Sequence, residues 1–329
     1  MLKGLFILDE ESFNKIYGPM EREEIAKYVD IYAPPQTADS IRGNPGILHS
    51  AEVIFSGWGA PLMDADFLSY APDLKAVFYG AGTIKYFTTD AFWDRNILIT
   101  SAYAANAVPV AEYTLSQILF CLKRGWHFAA EMKKRCYPER DFIPGAYGST
   151  IGIISLGTIG RMVCEMLKNF DLSVIAYDPF VNEEDAKALN VELCPLDEVF
   201  TRADVVSLHT PWLKETENMI QGGHFAAMKP YASFINTARG AVVNEKEMIR
   251  VLENRPDIQA VLDVTWPEPP ERDSPLYSLP NVVLTPHIAG SMNGECRRMG
   301  RYMVQELNRY IKGEPLKWVV AREKAQLMA

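Results

Sequence analysis

A chain of 329 residues is long for one ordinary domain and suits two. With 48% hydrophobic and 23% charged residues it can build real cores, and its formal net charge of -9 repels phosphate backbones, so no nucleic-acid partner is expected. No apolar run approaches the roughly 18 residues of a membrane span, so no membrane partner is expected and a cytoplasmic protein is the reading.

The chain opens with an apolar stretch at residues 3–8 that turns acidic at Asp9. It is short for a signal peptide and lacks a small-residue cleavage site, so a first β-strand is expected. Residues 11–29 predict a helix interrupted near Gly18-Pro19. Residues 53–55 and 76–79 predict short buried strands, each ending in a Gly-rich turn: Ser56-Gly57-Trp58-Gly59 and Tyr79-Gly80-Ala81-Gly82. A long apolar helix pattern covers residues 108–124. Residues 125–150, with Pro138, Pro144, Gly145 and Gly148, read as an extended surface excursion. Further strands are expected at 150–154, 173–177, 205–208, 233–236, 260–264 and 282–284, separated by helical segments, and a last helix near 295–312. Strand and helix alternate in the rhythm of a doubly wound parallel sheet. The five cysteines, Cys121, Cys136, Cys164, Cys194 and Cys296, show no C-x-x-C spacing and an odd count, which argues against a disulfide framework or a metal site and for a reducing compartment.

The strand at 150–154 runs into Ser155-Leu156-Gly157-Thr158-Ile159-Gly160, with a helix expected over 162–170. This is a G-x-G-x-x-G turn with Ser155 in place of the first glycine. Such turns bring backbone N–H groups and a helix N-terminus to a pyrophosphate, though Gly-rich turns also serve purely structural ends. The next strand ends at Asp178, 21 residues after Gly157, where an acid accepts from the adenosine ribose hydroxyls. No arginine follows Asp178, and Glu183, Glu184 and Asp185 add negative charge, so a 2′-phosphate would be repelled and NAD is expected over NADP.

Three later strands each end in a polar residue: Arg239 after Asn236-Thr237-Ala238, Glu268 after Asp263-Val264, and His287 after Thr285-Pro286. Ligands of open α/β sheets bind at the carboxyl ends of strands. Imidazole as a group has an intrinsic pKa near neutrality, so a histidine at this place suits proton transfer. Glu268 can orient the imidazole and favour its protonated form, and Arg239 can grip a carboxylate with two parallel hydrogen bonds. Taken singly, Arg239 could cap a strand, Glu268 could be a solvated loop acid and His287 a structural histidine.

Over roughly residues 50–312 the sequence resembles the D-isomer-specific 2-hydroxyacid dehydrogenase family. The resemblance rests on Gly80-Ala81-Gly82, Val110-Ala111-Glu112, Leu156-Gly157-Thr158-Ile159-Gly160, His209-Thr210-Pro211, Asn236-Thr237-Ala238-Arg239-Gly240, Asp263-Val264 with Glu268-Pro269, and Thr285-Pro286-His287-Ile288-Ala289-Gly290-Ser291. It implies catalytic Arg239, Glu268 and His287. It implies substrate-carboxylate binding by Gly80, Ala81, Gly82 and Arg239. It implies cofactor contacts at Ser155, Gly157, Thr158, Ile159, Gly160, Asp178, Thr210, Pro211, Thr237, Ala238, Asp263 and His287, and a homodimer with the 108–150 region at its interface. Ser155 for glycine and Ile84 for a frequent acid are departures from the family pattern.

The expected architecture is α/β: two domains, each an open parallel sheet flanked by helices, with a Rossmann-type cofactor domain inserted in a smaller flavodoxin-like substrate domain. Residues 1–104 plus 292–329 are expected to form the substrate (catalytic) domain and 105–291 the dinucleotide-binding domain. The expected activity is NAD(H)-dependent interconversion of a D-2-hydroxy acid and a 2-keto acid, with a cleft that closes to exclude water. Two rivals are an NAD(H)-sensing corepressor-like or scaffold protein of the same fold and an enzyme acting on a non-hydroxyacid such as phosphite. Trp58, Tyr79, Tyr103 and Trp266 are candidate pocket walls.

Overall fold

The structure, a computed structural model, describes residues 1–134 and 137–328, so Cys136 lies outside the described residues. The chain divides into two compact units: Met1–Asn106 with Ser291–Met328, and Ala107–Gly290.

The smaller unit carries β1 (Leu2–Ile7), β2 (Val29–Ile31), β3 (Val53–Ser56), β4 (Ala76–Tyr79) and β5 (Leu98–Ser101) in the order β2-β1-β3-β4-β5. Every pairing is parallel, which is the flavodoxin-like order. β3 and β4 are buried along their whole length, as expected of central parallel strands whose two faces are both covered. The helix expected over 11–29 with an interruption near Gly18-Pro19 forms two helices, Glu10–Ile16 and Pro19–Ala26, with Pro19 at the first position of the second, where its missing N–H leaves no bond unmade. Val29 leaves the helix and opens β2, an edge strand of three residues that is too short to show a period of its own. On the far face of the sheet, Met299, Met303, Val304 and Leu307 of the Cys296–Lys312 helix pack with Phe6, Phe55 and Phe78. The two stretches of chain that build this unit meet where Ser291 N–H donates to Asn106 Oδ1 at 2.9 Å.

The larger unit carries β6 (Thr150–Ile154), β7 (Ser173–Tyr177), β8 (Glu192–Leu193), β9 (Val205–Leu208), β10 (Ser233–Asn236), β11 (Gln259–Leu262) and β12 (Val282–Leu284). Their order is β12-β11-β10-β9-β6-β7-β8, again all parallel. This is the Rossmann order with one strand added, and the order reverses at β6, where such sheets bind their ligands. The long apolar helix spans Tyr103–Leu122. The region expected as an extended excursion contains a helix, Gly125–Lys133: Arg124 adopts a left-handed conformation (φ 50°) that ends one helix and starts the next, and only the proline- and glycine-rich stretch after it is irregular. The helix expected over 162–170 begins earlier, spanning Thr158–Leu167, because Gly160 does not break it. A Cβ on Gly160 would stand 2.1 Å from the Ser155 carbonyl oxygen, so this glycine is demanded by packing. Among the described residues no helix is long and apolar enough to cross a membrane.

Candidate functional site

The turn after β6 is built around Ser155, which takes the glycine position with φ 77°. A non-glycine residue there costs about 1–2 kcal/mol, and the serine is held on both sides. Its N–H donates to Tyr177 O at 2.8 Å, and its hydroxyl lies 2.8 Å from the Thr210 hydroxyl. Leu156 N–H donates to Asp178 Oδ2 at 2.7 Å, and Phe180 N–H to Asp178 Oδ1 at 2.8 Å, so the carboxylate at the end of β7 is fixed against the turn. Gly157 sits at the N-cap position of the Thr158–Leu167 helix, and Gly157 and Thr158 are exposed. The first amide to be bonded within the helix is Arg161 N–H, to Gly157 O, which leaves the N–H groups of the first turn to meet an anion, with the helix dipole in their favour. The Arg161 guanidinium is turned away, donating to Leu156 O at 2.9 Å and lying 3.7 Å from Asp185. A pyrophosphate on the turn and a ribose diol on Asp178 fit this geometry; a 2′-phosphate beside Asp178 does not.

The turn after β10 is folded by Asn236. Its side-chain amide donates to Arg239 O at 3.1 Å and its side-chain oxygen accepts from Ala238 N–H at 3.0 Å, an Asx-type closure that presents Thr237, Ala238 and Arg239 at the strand end. Thr237 is buried, its hydroxyl 3.1 Å from that of Thr114. Arg239 is half-buried and its Nη1 donates to Ala238 O at 2.6 Å. Behind it, a Cβ on Gly240 would lie 2.0 Å from the Thr265 carbonyl carbon, so the Arg239 turn and the chain leading to Glu268 are in direct backbone contact.

Asp263, 2% exposed, organises the turn after β12. Its Oδ1 accepts from the Thr285 hydroxyl at 2.6 Å and Ile288 N–H at 2.9 Å, and its Oδ2 accepts from Ala289 N–H at 2.9 Å. Tyr113 extends this network, its hydroxyl 3.0 Å from that of Thr285. Between those anchors His287 adopts φ 52°, with its N–H donating to Asp263 O at 3.0 Å. The ring is thereby turned so that Nδ1 lies 2.6 Å from Glu268 Oε1. The two side chains remain 46% and 38% exposed, open enough to meet a small molecule. With Nδ1 occupied by the carboxylate, Nε2 is the nitrogen left for proton exchange.

Thr210 is buried beside His209, whose value burial lowers to about 4, so that this imidazole is neutral. Its Nε2 lies 3.0 Å from the Ser207 hydroxyl. Pro211 O accepts from the Thr216 hydroxyl at 2.6 Å.

In the smaller unit, Gly80 N–H donates to Ser56 O at 2.8 Å and is spent within the fold. The carbonyls of Ala81 and Gly82 accept from the Ser101 hydroxyl, which fixes the loop. Among the described residues the N–H groups of Ala81 and Gly82 have no protein acceptor. Ile84 is fully buried in the core below. Of the four aromatic pocket candidates, Tyr79 packs into that core against Phe87, Tyr103 lies edge-on to Trp318, and Trp58 and Trp266 are exposed. The sequence alone gave no role to Asn236 as an organiser, to Tyr113 or to the Thr285 hydroxyl; of these only Asn236, an Asx residue at a strand end, carried a local signal.

These features define an α/β protein of two parallel-sheet units, the larger one a dinucleotide-binding fold with an acid–imidazole pair at the carboxyl edge of its sheet. Residues 115–289 match the family model described as D-isomer specific 2-hydroxyacid dehydrogenase, NAD binding domain, and the chain belongs to that family. NAD is the cofactor of the matched domain, in agreement with the turn and Asp178. Relatives include the D-3-phosphoglycerate dehydrogenases of Archaeoglobus fulgidus, 30% identical over 78% of this chain and 49% of its own length, and of Mycobacterium bovis, 32% identical over 78% and 48%. The chain thus spans about half the length of the curated relatives it matches. Among solved structures, the D-isomer specific 2-hydroxyacid dehydrogenase of Lactobacillus delbrueckii ssp. bulgaricus in its NAD-complexed form is 25% identical, with a TM-score of 0.80 over 97% of this chain and 100% of that one. A phosphoglycerate oxidoreductase from Rhizobium etli, 20% identical with a TM-score of 0.80 over 98% and 99%, shares the fold.

Proposed function

We propose that the chain interconverts a D-2-hydroxy acid and the corresponding 2-keto acid with NAD(H). The observation that carries this reading is the 2.6 Å contact of His287 Nδ1 with Glu268 Oε1, on strand ends adjacent to the Arg239 turn of the NAD-binding sheet. Bound NADH supplies the hydride. Arg239 holds the substrate carboxylate and polarises the neighbouring carbonyl. As hydride reaches the carbonyl carbon, His287 Nε2 gives its proton to the carbonyl oxygen, and the Glu268 carboxylate stabilises the imidazolium until then. In the reverse direction neutral His287 takes the hydroxyl proton.

In this reading the unit Ala107–Gly290 binds the dinucleotide and the unit Met1–Asn106 with Ser291–Met328 supplies substrate contacts. A homodimer through the 108–150 region accompanies it, supported by the exposed Phe120, Met132, Phe142 and Ile143, and light scattering should give twice the chain mass. A cytoplasmic location belongs to the same reading.

The test is turnover of NADH with a panel of 2-keto acids bearing small, phosphorylated, branched and aromatic side chains. At least one should give steady consumption of NADH that requires the keto acid. Tight NADH binding with no turnover across the panel contradicts the reading.

A further inference from the structure

The segment that carries Glu268 reads Thr265-Trp266-Pro267-Glu268-Pro269-Pro270. Three of its six residues are prolines and have no N–H to donate, so the backbone has few ways to be tied down. Thr265 Oγ1 donates to Pro267 O at 2.8 Å, a bond internal to the segment. Tyr277 Oη reaches Pro270 O only at 3.4 Å. Its backbone is tied to the rest of the unit at Trp266 N–H, which donates to Glu245 Oε2 at 3.0 Å.

Glu245 is well placed to serve as an anchor. It is the first residue of the Glu245–Asn254 helix, whose N-terminus is itself fixed: Asn244 Oδ1 accepts from Glu247 N–H at 3.3 Å, Asn244 N–H donates to Ile220 O at 2.8 Å, and Glu247 Oε2 accepts from Gly222 N–H at 2.8 Å. Nearby, Gly240 lets the Thr265 backbone approach within the space a Cβ would fill, and Trp266 packs edge-on against Trp212 with ring centroids 4.6 Å apart. Glu268, two residues beyond the tie, is the acid that turns His287.

We propose that Glu245 is a positioning residue, holding the proline-rich segment through Trp266 N–H so that Glu268 stays within hydrogen-bond reach of His287 Nδ1. The inference deepens the hydroxyacid reading and rests on it. Burial raises the Glu245 carboxyl above its ordinary range, with the nearby Glu271 charge adding to the rise and the Trp266 N–H bond opposing it. Charged or neutral, one carboxyl oxygen can accept from Trp266, so the role needs an acceptor and not a charge.

The test uses the full chain with Glu245→Gln and Glu245→Ala. Two signals are followed: kcat against KM for the best keto acid, and the low-field proton resonance of His287 Nδ1–H, assigned by its loss in Glu268→Ala. Glu245→Gln retains an acceptor oxygen and should match wild type within about twofold in kcat and in the resonance. Glu245→Ala should lower kcat about tenfold, as expected for a small displacement of a supporting group, with KM and NADH affinity held, and should shift or broaden the resonance. If Glu245→Ala does not fold, Glu245→Met, of similar length and without an oxygen acceptor, carries the same expectations. An unchanged kcat together with an unchanged resonance overturns the inference. So does a loss of thermal stability or NADH affinity with the resonance unmoved, since the contact is then structural only. If wild type turns over no keto acid, the hydroxyacid reading fails separately, and the resonance still decides whether Glu245 positions the pair.

Discussion

Two turns of the larger unit, one after β6 and one after β12, hold a non-glycine residue in the left-handed region: Ser155 at φ 77° and His287 at φ 52°. The backbone problem is the same and the solutions differ. Ser155 is braced by the Tyr177 carbonyl and the Thr210 hydroxyl, yet what the turn offers a dinucleotide is backbone N–H groups that a glycine would present as well. At His287 the side chain is the part to which the proposed reaction assigns proton transfer. Asp263 clamps the residues on both sides of it with three hydrogen bonds, and the imidazole reaches Glu268. Strain that a glycine could relieve is held at one turn by a hydroxyl pair, and at the other by the Asp263 clamp around a side chain that the proposed reaction uses.

The largest effect that would sharpen this contrast lies beneath the Ser155 brace. His209, next to Thr210, is held neutral by burial with a value of about 4, whereas in the unfolded chain it takes up a proton near pH 6.5. A group with a lowered folded value binds its proton in the unfolded state first. Stability is therefore intact above about pH 6.5 and falls as pH drops toward about 4, by on the order of 3 kcal/mol. Thermal melts of wild type and His209→Gln should converge near pH 7.5 and separate in acid, with wild type losing more. Parallel pH curves would remove His209 from the account.

A smaller effect is expected at the clamp. Asp263→Asn keeps one acceptor oxygen and replaces the other with a donor facing backbone N–H or hydroxyl groups, so the His287 turn should loosen. A drop in kcat of about tenfold is expected with NADH affinity within threefold, read by steady-state rates and fluorescence titration. Loss of NADH affinity alone would place Asp263 with the cofactor and not with His287.

The smallest effect is at Ser155. Ser155→Gly removes a penalty of about 1 kcal/mol and one hydroxyl pair worth a similar amount, so melting temperature and NADH affinity should stay close to wild type. A tenfold loss of NADH affinity would make the serine hydroxyl a cofactor contact in its own right and erase the contrast with the His287 turn.

Much of the fold was legible in the sequence because central parallel strands are short apolar runs punctuated by glycine, proline or aspartate. β4, Ala76–Tyr79, and β10, Ser233–Asn236, fall where the pattern put them. Among the edge strands, β12 was read at 282–284, but β2 and β8, with three and two residues and no periodicity, were not. The Gly125–Lys133 helix was hidden because its mixed aromatic and charged composition has no buried apolar face. Arg239, Glu268 and His287 stood out because a polar residue ending an apolar strand is a local signal. Their supports gave none, since Glu245 meets Trp266 across 21 residues and Tyr113 meets Thr285 across 172, contacts that exist only once the sheet has formed.

The central claim is that His287 is strained for chemistry. His287→Asn tests it most directly, because asparagine tolerates the left-handed backbone and removes only the imidazole. Measured at saturating NADH with the best keto acid, hydride transfer should slow by about 10² to 10⁴, as for loss of a general acid, while NADH affinity and melting temperature stay near wild type. A His287→Asn protein that reduces the keto acid within about threefold of wild type would contradict the claim, since removing a general acid is expected to cost far more than that.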